Sequence, residues 1–106
     1  MQKKHKNIKE AAANKRIIWG KHSYIRIEER FISKNEIVEA INNGEIIEDY
    51  PEDKPFPSCL IFGNVNNRPI HVVIAYDEKN RSIFIITLYE PSQKIFGPDF
   101  KKRRKK

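Results

Sequence analysis

A single cysteine, Cys59, stands in the 106 residues, so no disulfide can close within the chain. Stability must come from packing and hydrogen bonds, and a cytoplasmic location is the expectation. No apolar run approaches the roughly 20 residues of a membrane span. The opening "MQKKHKNIKEAAANKR" is basic but leads into no apolar segment of the signal-peptide kind, so no membrane association is expected. Only four glycines are present, and none builds a phosphate-cradling loop. His5, His22 and His71 show no ligand spacing, and the acidic "EDYPED" lacks an ordered ligand pattern. No metal or other cofactor is expected.

What is present suits one globular domain. Hydrophobic residues make up 39% and charged residues 33%, enough for one modest core. Residues 1–100 read as a single domain and residues 101–106, "KKRRKK", as a basic tail. The charge is unevenly spread: residues 1–21 hold seven Lys and Arg against one Glu, and the tail is wholly cationic, which leaves the middle net acidic. Basic ends suit a polyanion such as nucleic acid, because neutralised phosphates release counterions. They equally suit solvated ends that serve solubility.

Pattern divides the chain into helices and then strands. Residues 5–14 read as a short helix through "EAAA", and "RIIWG" as an extended link before Gly20 caps a second helix from Lys21 to Phe31. Tyr24, Ile27 and Phe31 share one face by spacing. The third helix opens on a capping box, Ser33 with Glu36, buries Ile37, Ala40 and Ile41, and ends at Gly44 in positive φ. Then "EIIEDY", "SCLIFG", "PIHVVIAY" and "SIFIITLY" read as strands. Short connections make them antiparallel. The expected fold class is α+β, with N-terminal helices packed on an antiparallel sheet of about four strands.

Two groups of residues carry candidate chemistry. His22, Arg26 and Arg30 lie four apart, one row on the second helix. Arginine forks fit phosphate, but Glu29 is also spaced to pair with Arg26 on a solvated face. In the strands, pairing Tyr76 with Ser82 sets His71 opposite Thr87, with Tyr89 one diagonal step away. That cluster reads as an acid–base site, or as a half-buried histidine satisfied by a hydroxyl. Cys59, in an apolar strand, reads as a small buried residue.

The ordered motifs "HSYIRIEERFIS", "NNGEIIEDYPEDKPFPSCLIFG", "RPIHVVIAY" and "IFIITLYEP" resemble a family of small bacterial proteins of unassigned function. That family is similar to the BrnT and RelE-type ribonuclease toxins and to MqsR. The resemblance covers residues 22–91. It implies a RelE/BrnT-toxin-like fold and a metal-independent endoribonuclease acting on messenger RNA, paired with a small antitoxin, often of zinc-finger type. His71 is then the expected acid or base. Arg26 and Arg30 stabilise charge, His22, Thr87 and Tyr89 assist, and Lys101, Lys102, Arg103 and Arg104 hold the RNA backbone. Asp53, Pro57 and Cys59 match the family for shape. Gly20 stands where relatives tend to carry a Ser cap. The rival expectation is a non-catalytic module that binds RNA or an antitoxin.

Overall fold

The capping box forms as its sequence demands. Ser33 Oγ accepts from the Glu36 amide at 3.1 Å, and Glu36 Oε1 accepts from the Ser33 amide at 2.9 Å. In the computed structural model, which describes residues 2–91 and side chains from Lys6 onward, this box starts α3 (Lys34–Asn43). Before it come α1 (Gln2–Ala13), the two-residue β1 (Ile17–Ile18) and α2 (Lys21–Arg30). After it come β2 (Glu45–Tyr50), β3 (Ser58–Val65), β4 (Arg68–Asp77) and β5 (Ser82–Tyr89). The basic tail lies outside the described residues.

The sheet has five strands in the order β1-β5-β4-β3-β2. The four strands expected from sequence pair antiparallel, but "RIIWG" supplies a fifth, which makes the sheet mixed: Ile17 and Ile18 run parallel to Ile83 and Phe84. The link becomes a strand because Arg16 is anchored on the β4–β5 turn. Its guanidinium donates to the carbonyls of Asn80 (2.7 Å) and Arg81 (3.2 Å), and its own carbonyl accepts from the Ile83 amide.

The core lies between the three helices and one face of the sheet. Ile37, Ala40 and Ile41 of α3 and Ile8, Ala11 and Ala12 of α1 meet Ile61, Ile70, Val72, Ile74, Ile83 and Leu88. Two glycines permit the close fit of α3. A Cβ on Gly63 would stand 2.6 Å from Ala40 Cα, and one on Gly44 would collide with the Ala40 carbonyl. Gly44 is therefore required for contact and not for turn geometry: its φ of −89° is ordinary, against the positive φ expected of it.

The buried face of α2 also differs from the expected one. Ser23 is buried and Ile27 packs on the core, whereas Tyr24 is 50% and Phe31 84% exposed. The cause is the path out of β1. That path carries α2 along β5, where Ser23 Oγ donates to the Ile85 carbonyl at 3.0 Å. Phe31 is exposed because it takes the left-handed conformation (φ 54°) that ends α2, its amide donating to the Ile27 carbonyl.

Candidate functional site

Alternation along β4 sends Ile70, Val72, Ile74 and Tyr76 to the helices and His71, Val73 and Ala75 to the opposite face. Register then groups the polar candidates on that second face. Glu45 pairs with Phe62, Phe62 with His71, and His71 with Tyr89, one row across four strands. Thr87 pairs with Val73, one step along the same face.

This corrects the expected register. Asp77, not Tyr76, pairs with Ser82, and an extra residue at Ile86 bulges β5. The two one-residue offsets add. His71 stays on the expected face but meets Tyr89 directly instead of Thr87.

The His71 imidazole is packed on both sides. Its Nδ1 lies 3.4 Å from the Tyr89 hydroxyl, with ring centroids 5.4 Å apart, and Phe62 meets it edge-on at 5.8 Å. The residue has 0% exposure. Imidazole and phenol form a proton-capable pair, closed to solvent in this conformation.

The row on α2 sits elsewhere, along the flank of β5. His22 and Arg30 are exposed, and Arg26 turns to Glu29 at 3.5 Å, an i, i+3 pair. Arg68 connects the two regions, and the sequence reading assigned it no role. Its guanidinium donates to the carbonyls of Phe31 (2.7 Å) and Arg30 (2.8 Å) and pairs with the Glu90 carboxylate, while Glu36 lies at 3.8 Å. A cation on the last carbonyls of α2 satisfies groups the helix cannot and complements its dipole. The signal was the Arg-Pro pair at the head of "RPIHVVIAY".

A second cluster was invisible in sequence. Lys34 Nζ lies 4.4 Å from the Tyr24 ring centroid and 5.1 Å from that of Trp19, and it donates to Tyr24 Oη at 2.9 Å. The link after β1, α2 and α3 each supply one of these side chains, so no local spacing announces them.

Among the described residues, no group of three His, Cys, Asp or Glu is placed to hold a metal. Cys59 is buried on the core face of β3. No helix among the described residues is long and apolar enough to cross a membrane.

Fold and site together define a small two-layer α+β domain, with helices on one sheet face and a histidine–tyrosine pair on the other. The chain belongs to the family described as a domain of unknown function, DUF4258, which matches residues 19–90. No curated protein and no solved structure matches the chain.

Proposed function

We propose that this domain binds single-stranded RNA through its cationic N-terminal third, with the basic tail assisting, as a relative of the toxin-like proteins its motifs resemble. The observation that carries the reading is the segregation of charge. Residues 1–34 hold ten Lys and Arg against three Glu, and Lys15, Arg16, Lys21, Arg30 and Lys34 are exposed. Aromatic rings at Trp19 and Tyr24 interleave with those cations, the combination that stacks bases while neutralising phosphates. Lys101, Lys102, Arg103 and Arg104 add backbone attraction without sequence reading.

The test is anisotropy of a labelled single-stranded RNA across a salt series. Affinity falls steeply with salt, and the logarithmic slope is about 0.7 per phosphate neutralised. Deleting residues 101–106 makes the slope shallower. Absent binding at low salt, or a flat slope, removes the reading.

The His71–Tyr89 pair favours a second reading, metal-independent endoribonuclease activity. One member of the pair takes the 2′-hydroxyl proton. The 2′-oxygen then bonds to phosphorus, the bond to the 5′-oxygen breaks, and the other member protonates that leaving oxygen. Thr87 lies one step along the same face, whereas His22, Arg26 and Arg30 lie apart along the flank of β5 and reach the phosphorane charge only if α2 moves toward that face. This reading requires RNA to uncover His71, whose full burial is why binding without cleavage is placed first. Growth arrest on expression, relieved by a small zinc-finger antitoxin, is the outcome that favours it.

A further inference from the structure

Between the end of α1, β1 and the outer side of α3 lies a groove of about 350 Å³. Its apolar lining comes from Ala12, Ala13, Ile17, Val38 and Trp19. Its polar lining residues are two lysines, Lys15 and Lys34, and two asparagines, Asn35 and Asn42. None of its lining residues is acidic. We infer that this groove binds one nucleoside monophosphate unit, either as a free nucleotide or as one residue of an RNA strand. The inference deepens the RNA-binding reading and names its subsite.

Each part of such a ligand meets matching chemistry. A base is planar and apolar on its faces, and the apolar lining residues beside the indole offer it a slot. The edges of a base carry donors and acceptors side by side, and a primary amide presents the same pair. The phosphate falls to the ammonium groups. One of three N–H donors on Lys34 goes to Tyr24, which leaves donors for an anion while the ammonium stands over the indole ring.

The backbone of Lys15, a lining residue, is closed against the end of α1. Its φ is 60°, and its amide donates to the Ala12 carbonyl at 3.1 Å while the Arg16 amide returns to Ala11 at 2.9 Å. That closed helix end sets the side chain beside the groove before any ligand arrives. The volume is at the small end of ligand sites, enough for one nucleotide and no more.

The groove reports on itself, because Trp19 is the chain's sole tryptophan. Full-length protein is titrated with UMP and AMP while indole emission is followed, with ribose 5-phosphate, uridine and inorganic phosphate as partial ligands. The expected result is saturable quenching by the nucleotides at about millimolar concentration or below, with each partial ligand at least about tenfold weaker. Lys34→Ala and Lys15→Ala each weaken the nucleotide about tenfold, whereas Lys79→Ala in the β4–β5 turn changes nothing. Thermal melts confirm that each variant is folded. No saturable quenching by either nucleotide, or unchanged affinity in the folded Lys15→Ala and Lys34→Ala proteins, overturns the inference.

A labelled RNA strand separates the two readings. If the strand binds with no change in Trp19 emission and no effect of either lysine variant, the groove inference falls while RNA binding stands. If the mononucleotides quench and the strand does not bind, the groove stands for free nucleotides and the RNA reading falls.

Discussion

Ser23 donates its hydroxyl proton to the carbonyl of Ile85, and the bond is buried between α2 and β5. It fixes which side of α2 faces the sheet. Ser23→Ala leaves that carbonyl without its donor in a dry place. The expected loss is about 1–2 kcal/mol of stability, read as a drop of several degrees in Tm. A change within the error of the melt would mean that the helix orientation rests on Ile27 alone.

Arg68 gathers the end of α2, the start of α3 and the end of β5. Lysine keeps the charge but loses the fork that reaches two carbonyls and a carboxylate at once. Arg68→Lys is expected to cost about 1–2 kcal/mol in chemical denaturation, and Arg68→Ala more. Faster amide exchange in the last turn of α2 should accompany the loss.

Gly63 sits beneath Ala40 with no room for a methyl group. Gly63→Ala must push α3 off β3, and overpacking of this kind costs about 1–3 kcal/mol. Pairing it with Ala40→Gly should return part of that stability, a coupling measurable in a double-mutant cycle.

Asp77 accepts from the Asn80 side-chain amide at 2.7 Å and from the Asn80 amide nitrogen at 3.2 Å. The side-chain bond is the larger cause holding its carboxyl below the ordinary aspartate range. A group depressed on folding stabilises the fold above its unfolded pKa, and that stability is lost as pH falls through the folded value. Wild type should therefore exceed Asp77→Asn in stability at neutral pH, with the gap closing below about pH 4. A gap that widens on acidification would contradict the assignment.

His71 gives the sharpest separation of binding from cleavage. If RNA is only bound, His71→Gln and Tyr89→Phe should leave RNA affinity within about twofold, a difference of some 0.4 kcal/mol. If RNA is cut, both variants should lose turnover while binding persists, His71→Gln by about a hundredfold or more. Gel analysis of an end-labelled strand at long incubation times reads both outcomes.

Local chemistry made much of this architecture readable. The Ser33–Glu36 box states where α3 begins, and alternation in "PIHVVIAY" states which β4 side chains share a face. What the sequence did not disclose depends on the third dimension. Two residues of β1 are too few to show a period. The bulge at Ile86 has no Gly or Pro to mark it, and it moved the partner of His71. Ser23 is polar, so a hydrophobic count could not choose it over Tyr24 as the buried residue. Lys34, Trp19 and Tyr24 meet only once α3 has folded back beside β1.

The brevity of β1 has a consequence for how copies of this chain can meet. β1 covers two positions of β5, and α2 runs beside the rest, so little main chain is offered on that margin. On the other margin β2 is bent by its irregularity at Ile47 and carries Glu45, Glu48 and Asp49. Kinks and like charges there oppose strand-by-strand stacking. Neither border invites ribbon-like polymerisation, so among the described residues the helices and the sheet faces are the surfaces left for self-association.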